Sequence, residues 1–154
     1  MTANALLQCV RDIQAEAQAL AALGVEMIEQ PVPVGQEGAL DGVKSPLPLL
    51  ADESCQSAAD IDLCARYFDG INIKLDKAGG LTEALAMRRE AEARSLKVMV
   101  GCMLSTSLGI APAFLAAQGA DWVDLDGPVL LAKDRDDHFH FHDGTIQQAA
   151  EKLR

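Results

Sequence analysis

The chain alternates short apolar runs with longer segments in which apolar residues recur every three or four positions. Runs of this kind are typical of buried strands, and the longer segments are typical of amphipathic helices. The pattern predicts five strands, at Val25–Glu29, Leu47–Ala51, Ile71–Leu75, Lys97–Gly101 and Trp122–Asp126. It predicts four helices, at Ala5–Leu23, Ala58–Tyr67, Leu81–Ser95 and Ala111–Gln118.

The alternation of strand and helix predicts an α/β fold in which helices cover a parallel sheet. The strands return at intervals of roughly 25 residues, which is the period of βα units. Because no linker or low-complexity stretch divides the sequence, residues 1–154 are predicted to form a single domain. A closing segment, His138–His142 followed by Asp143 and Gly144, alternates with period two and then turns, which predicts a terminal hairpin.

Charge and composition limit the binding partners and the cellular compartment that can be expected for this chain. The chain has 154 residues and a formal charge of -10, so a phosphate backbone or an anionic lipid surface would repel it, and neither nucleic acid nor a membrane is an expected partner. No apolar run approaches the ~18 residues that span a bilayer, and the start shows no leader pattern, which favours a cytoplasmic protein. The four cysteines form no C-x-x-C pair and predict neither a zinc site nor a disulfide framework.

Polar residues fall at the ends of the predicted strands. Glu29 ends the first strand, Asp52 follows the second, Lys74 lies near the end of the third, and Asp124 and Asp126 close the last. Since parallel strands share one carboxyl rim, these side chains are expected to converge. Two carboxylates beside a lysine suit a hard cation such as Mg²⁺ together with a proton-carrying amine. The alternative is that the acids cap helices at βα junctions and the lysine is only ion-paired.

Three ordered motifs resemble the barrel domain of the enolase superfamily, in its muconate-lactonizing subgroup. They are Ile28-Glu-Gln-Pro31, Ala51-Asp-Glu-Ser54 and Asn72-Ile-Lys-Leu-Asp-Lys-Ala-Gly-Gly80. Further on, Gly101-Cys-Met103 and Asp124-Leu-Asp-Gly-Pro128 resemble the dipeptide (L-Ala-D/L-Glu) epimerases of that subgroup. The resemblance covers roughly residues 3–131. It implies the C-terminal part of a TIM-type β/α barrel with about five parallel strands.

The resemblance implies a role for each rim residue. Glu29 and Asp52 would be two of three Mg²⁺ ligands, and Lys74 would be the acid/base at the end of its strand. Asp124 and Asp126 would anchor the ammonium group of the dipeptide. The implied reaction removes a proton α to a carboxylate and gives an enediolate, which is the chemistry of an isomerase.

Four more residues are expected to support the site. Cys102 and Met103 follow the fourth strand and would line the substrate pocket. Glu53 would orient a ligand or a neighbouring lysine. Lys77, the rival candidate for the base, is expected to contact the rim or to pair with Asp76.

Parts of the family pattern are missing from this sequence. A full barrel takes ~250 residues, so the chain is expected to be the C-terminal portion of one, without the capping domain and the first strands. No K-x-K pair is found for the opposite face of the substrate, and the family's Asp-Ala-Asn metal motif corresponds to Thr2-Ala3-Asn4. The sequence therefore predicts weak Mg²⁺ binding, no epimerisation by this chain alone, and self-association through the unpaired sheet edges.

Two other functions stay open. The chain is alternatively a fragment of a different enolase-superfamily enzyme, a cycloisomerase or an o-succinylbenzoate-synthase-like dehydratase. It is otherwise a noncatalytic half-barrel that serves in assembly. Asp124 and Asp126 favour the dipeptide, because the substrates of those other enzymes have no ammonium group to bind.

Overall fold

Five parallel strands form one sheet whose spatial order follows the chain order. The computed structural model describes residues 3–147, with side chains for residue 6 and residues 8–147. The strands are β1 Ile28–Glu29, β2 Leu49–Ala51, β3 Gly70–Lys74, β4 Lys97–Gly101 and β5 Trp122–Asp124. This arrangement confirms the predicted α/β class and is that of a half-barrel, in which each strand lies beside the next one along the chain.

Helices alternate with the strands along the chain. They are α1 Ala3–Ala22, α2 Ile61–Tyr67, α3 Leu75–Ala78, α4 Leu81–Ala93 and α5 Ser107–Ala116. Short 3₁₀ helices lie at Glu37–Leu40, Ala58–Asp60 and Gly127–Leu130. The 3₁₀ helix that precedes α2 begins with a reciprocal cap, in which the backbone N–H of Ser57 donates to Asp60 Oδ2 at 2.9 Å.

The core lies between the helices and one face of the sheet. Alternate strand residues, among them Ile71, Ile73 and Val100, are fully buried against apolar helix residues such as Met87 and Ile110. Full burial of side chains of this size contributes about 1.5–3 kcal/mol each. Because side chains alternate along a strand, the intervening positions of β3 and β4 are turned to the opposite face, where the polar rim residues lie.

A hydrogen bond between side chains joins the two edges of the sheet at its amino end. The indole Nε1 of Trp122, at the start of β5, donates to Glu26 Oε2 at 2.7 Å, and Glu26 lies just before β1. The ammonium of Lys97 stands 5.2 Å from the centre of the Trp122 ring. The sheet is therefore curled, and its first and last strands approach each other.

The observed elements differ from the predicted ones at several ends. The predicted first strand shortens to β1, and the last ends at Asp124, because the 3₁₀ helix that begins at Gly127 follows it closely. The predicted fourth helix starts too late: α5 begins at Ser107 and contains Pro112. Its start is set by Thr106, whose side chain accepts from the backbone N–H of Gly109.

The predicted terminal hairpin is confirmed. It consists of β6 His140–His142 and β7 Thr145–Gln147, paired antiparallel. Large apolar side chains remain exposed before and after β1, at Leu23 and Val34, and in or after β5, at Val123, Val129 and Leu130. Leu104, after β4, and Leu115, in α5, are exposed as well. No helix within residues 3–147 is both long and apolar enough to cross a membrane.

Candidate active site

The loop after β2 is held in place by the side chain of Gln30, the residue after β1. Its Oε1 accepts from the backbone N–H groups of Asp52, at 2.8 Å, and Ser54, at 3.2 Å. Its Nε2 donates to the carbonyl of Val32 at 2.7 Å. Gln30 itself has a φ of 40°, a conformation that non-glycine residues adopt at a cost and that these contacts hold. Gln30 therefore fixes where Asp52 is presented.

The Asp52 carboxylate lies between two ammonium groups. Lys74 Nζ donates to Oδ2 at 2.7 Å, and Lys77 Nζ donates to Oδ1 and also to the Asp52 carbonyl at 2.6 Å. Asp52 is only 6% exposed, and burial alone would raise its pKa. The hydrogen bonds and charges of the two lysines outweigh burial and hold the pKa below its ordinary value. Asp52 is therefore ionised at neutral pH.

Lys74, the last residue of β3, also approaches Glu29. Its Nζ lies 3.7 Å from Glu29 Oε1. Burial opposes the charge of Lys74, but the hydrogen bond to Asp52 and the surrounding acids, including exposed Glu53, raise its pKa. The structure thus brings together Glu29, Asp52 and Lys74 at the carboxyl ends of three neighbouring strands. Their chemical roles stay predictions.

Asn72 lies beneath this group, two residues before Lys74 on β3. Its Nδ2 donates to Glu29 Oε1 at 2.5 Å, and the residue is fully buried. Its Oδ1 has no hydrogen-bond partner among the residues that the structure describes. Gly101 of β4 makes room for it, because a β-carbon there would stand 2.8 Å from Asn72 Oδ1 and 3.1 Å from Lys74 Cε.

The acid pair lies on the far side of Gly101. The sheet register places Gly101 between Lys74 and Asp124. Asp126 is not on the strand, as the sequence predicts, but in the turn that enters the 3₁₀ helix. Loss of solvation and the neighbouring charge of Asp126 raise the pKa of Asp124. This end of the rim therefore carries negative charge. Among the described side chains, no lysine lies within hydrogen-bonding distance of these two acids to neutralise it.

The supporting residues divide into those near the site and those turned to solvent. Cys102 is partly buried, and loss of solvation together with nearby aspartates raises the pKa of its thiol. Met103 is 53% exposed. Of the two contacts expected for Lys77, the structure shows the one with the rim and not the pair with Asp76: Lys77 lies at the third position of α3, from which its side chain reaches back to Asp52. Thr2, the counterpart of the third metal ligand, lies outside the described residues.

Sequence reasoning gave no role to three residues of the site: Gln30, Asn72 and Gly101. Gln30 and Asn72 stand within the motifs quoted above. The polar amide of Asn72 between two apolar residues of β3 was a signal in the sequence that could have marked it as a site residue. Their roles depend on contacts between strands that are distant in sequence, which local patterns do not report.

The carboxylates of Glu29 and Asp52 are of the ligand type that a hard divalent cation prefers. Glu29 and Asp52 offer hard oxygen atoms at neighbouring strand ends, and Mg²⁺ commonly binds through one or two carboxylates while keeping several waters. Across residues 3–147 no group of three or more His, Cys, Asp or Glu residues is placed to hold a metal ion. The donor set therefore fits Mg²⁺ by type, with the ammonium of Lys74 balancing the two carboxylates.

Sequence comparisons relate the chain to isomerases. A family model described as "Enolase C-terminal domain-like" matches residues 8–151. The chain is 46% identical over 138 residues to the N-acetyl-D-glutamate racemase of a Pseudoalteromonas species, covering 90% of this chain and 44% of that protein. It is 43% identical over 134 residues to the L-Ala-D/L-Glu epimerase of Escherichia coli K12, covering 87% and 42%. The chain thus spans less than half the length of these relatives.

Solved structures match the same half. An enolase family member from Agrobacterium tumefaciens with homology to dipeptide epimerases, with bound sodium and L-Ala-L-Glu, superposes with a TM-score of 0.85. It is 47% identical, and the match covers 90% of this chain and 43% of that one. The dipeptide epimerase of Methylococcus capsulatus, complexed with Mg and L-Arg-D-Lys, superposes with a TM-score of 0.82 at 32% identity, covering 91% and 42%.

Proposed function

Because the chain belongs to the enolase C-terminal domain-like family, we propose that it carries one proton-transferring half of a dipeptide epimerase site. The observation that carries the proposal is the position of Lys74 Nζ, 2.7 Å from Asp52 Oδ2 and 3.7 Å from Glu29 Oε1 at the carboxyl ends of adjacent strands. A base beside two oxygen donors suits removal of a proton α to a carboxylate.

Lys74 is the proposed acid/base. An amine takes a proton only in its neutral form, and the Asp52 contact raises the pKa of Lys74, so that contact has to be released first. A cation such as Mg²⁺, held by Glu29 and Asp52, would supply positive charge to the substrate carboxylate. Once the Lys74 ammonium has given one proton to solvent, the neutral amine would receive the α-proton and, as an ammonium again, return it.

Mg²⁺ is proposed to bind weakly. Only two carboxylates of the family's three are identified here, and both already contact an ammonium group. Calorimetric titration of the chain with Mg²⁺ tests this, with Asp52→Asn as the control. Micromolar or tighter binding that Asp52→Asn abolishes would contradict the proposed weakness and require a further ligand.

Asp124 and Asp126 are proposed to bind the ammonium end of the dipeptide. They are two neighbouring acids whose mutual repulsion a cationic group would relieve. Binding of L-Ala-L-Glu is expected to weaken in Asp126→Asn, whereas binding of its N-acetylated form should not change. Equal losses for the two ligands would contradict this role.

Racemisation of an N-acylated amino acid is the second candidate. It is favoured by the 46% identity to a protein described as an N-acetyl-D-glutamate racemase. Such a substrate has no ammonium group, so the acid pair would not be its anchor. N-acetyl-glutamate binding that exceeds dipeptide binding would select this candidate.

Proton NMR in D₂O tests the reaction itself. One base on one face returns the proton to that face, so the chain alone is expected to give at most slow α-proton exchange with L-Ala-L-Glu and no inversion. Lys74→Ala should abolish the exchange, while Lys133→Ala, on a distant exposed segment, should not. Inversion by the pure chain that is lost in Lys74→Ala would show that a second base exists, with Lys77 the first suspect.

Copies of the chain are proposed to self-associate. The sheet ends in β1 and β5, and exposed apolar side chains such as Leu23, Val123 and Leu130 lie beside these edges. Uncovered edges of this kind favour pairing. Sedimentation at micromolar concentration is expected to show oligomers that Leu130→Asp reduces, and a folded monomer would refute the proposal.

A further inference from the structure

We propose that Asn72 is a positioning residue for Lys74, whose amide oxygen receives the Lys74 ammonium when that group leaves Asp52. The proposal rests on the function proposed for Lys74 and adds a second resting position for its side chain. Four observations on β3 and its neighbours support it.

The first is the burial of an incompletely bonded amide. Asn72 is fully buried on β3 between Ile71 and Ile73, which are also fully buried. A buried polar group without a partner destabilises the folded state, and the Asn72 oxygen has none among the side chains and backbone that the structure describes. An aliphatic residue would avoid this cost.

The second is the anchoring of the amide through its nitrogen. The 2.5 Å hydrogen bond from Asn72 Nδ2 to Glu29 Oε1 ties β3 to β1 and fixes the plane of the amide group. Because nitrogen and oxygen share one planar carbon, this bond also fixes the direction of Oδ1. The oxygen is therefore an oriented acceptor rather than a freely rotating one.

The third is the convergence of Asn72 and Lys74 above Gly101. A β-carbon on Gly101 would stand 2.8 Å from Asn72 Oδ1 and 3.1 Å from Lys74 Cε. Both groups therefore share the space that the glycine leaves. The movement that the proposal requires is a rotation of the terminal torsions of Lys74 that turns its ammonium from Asp52 toward the amide oxygen.

The fourth is the unused donor capacity of Lys74. An ammonium has three protons, and within residues 3–147 only Asp52 Oδ2 accepts a hydrogen bond from it, since Glu29 lies at 3.7 Å. A neutral amide oxygen orients an ammonium without adding negative charge. Asn72 would thus hold the side chain of Lys74 at the rim when Asp52 binds a cation and no longer accepts from Lys74.

NMR of the Asn72 side-chain amide tests the proposal without any turnover. The resonance is assigned by its absence in Asn72→Asp. In Asp52→Ala we expect a downfield shift of its ¹⁵N signal, because a donor on Oδ1 polarises the amide. In Asp52→Ala/Lys74→Met, the matched variant with an apolar chain and no ammonium, the shift should vanish. An unshifted signal in Asp52→Ala, or the same shift in both variants, would overturn the proposal.

A crystal structure of Asp52→Ala gives the second measurement. Lys74 Nζ is expected within about 3.2 Å of Asn72 Oδ1, and a Lys74 bonded to Glu29 alone would overturn the proposal. If circular dichroism shows that Asp52→Ala is unfolded, Asp52→Leu, which fills the volume, replaces it in both experiments. Exchange of the α-proton that persists in Lys74→Ala, with these structural results intact, would refute the proposed function of Lys74 and not the role of Asn72.

Discussion

Asp52 and Asp124 are the same residue type on the same rim, but their surroundings shift their pKa values in opposite directions. Asp52 is buried, yet two lysines lower its pKa. Asp124 is more open to solvent, yet loss of solvation and the charge of its neighbour Asp126 both raise its pKa. Desolvation acts in the same direction on both carboxyl groups, so the charged partners decide the outcome.

The difference divides the rim into two chemical halves. The half over β2 and β3 is internally neutralised, so an incoming cation has to replace an ammonium there. The half over β5 is uncompensated, so a cationic group binds without displacing anything. Gly101 stands between them in the sheet register and carries no side chain that would separate them.

The largest effect is expected from removing the compensated charge. Asp52→Asn leaves Lys74 and Lys77 largely buried without their carboxylate, which is expected to lower the free energy of unfolding by about 3–5 kcal/mol. Urea denaturation at neutral pH measures it. Asp124→Asn is the matched control, and an equal loss there would mean that the two acids do not differ.

The pH dependence of that loss sharpens the comparison. Since the folded state lowers the pKa of Asp52, its stabilisation is fully present above the unfolded value of ~3.9 and is lost as pH falls through the folded pKa. The stability difference between the native chain and Asp52→Asn should therefore shrink only below about pH 4. Denaturation curves from pH 7 to pH 2.5 test this, and a difference that shrinks already between pH 7 and pH 5 would contradict it.

Much of this arrangement follows from the sequence alone. The strands come from apolar runs, and the shared rim follows from parallel strands, so Glu29, Asp52 and Lys74 were predictable as neighbours. The length of α3 and the turn at Asp126 were not, because they depend on one or two residues at element ends. For Lys77 the sequence left open a contact with the rim and a pair with Asp76. The four-residue helix α3 decides between them, because from it the Lys77 side chain reaches back to Asp52.

A side chain at Gly101, between the two halves of the rim, is expected to have an intermediate effect on stability. Gly101→Ala would place a β-carbon within 3.1 Å of Asn72 and Lys74, and overpacking of this kind costs about 1–3 kcal/mol. Thermal unfolding measures the loss, with Gly38→Ala as the control for glycine replacement alone, because a β-carbon there would meet only the Tyr67 hydroxyl, at 4.0 Å. Unchanged stability in Gly101→Ala would show that the amide and the lysine move aside freely.

The smallest effect, with the opposite sign, is expected at the acid pair. Because the folded state raises the pKa of Asp124, its ionised form opposes folding above the folded pKa, and this opposition fades as pH falls toward ~3.9. Asp124→Asn should raise the free energy of unfolding at pH 7 by less than about 1 kcal/mol, since solvent screens the pair. The gain should vanish near pH 3, and a loss of stability at pH 7 would contradict the repulsion.

Trp122 is the one tryptophan of the sequence, and its indole touches a residue 96 positions away. Its emission therefore reports on the meeting of the first and last strands and is insensitive to the formation of a single helix. Contacts of such long sequence separation form slowly, because the entropy of closing a long loop is lost before the contact contributes any stabilisation. In a refolding experiment, the fluorescence trace should lag behind the far-ultraviolet circular dichroism, and the lag is the time that the curled sheet needs to bring its edges together.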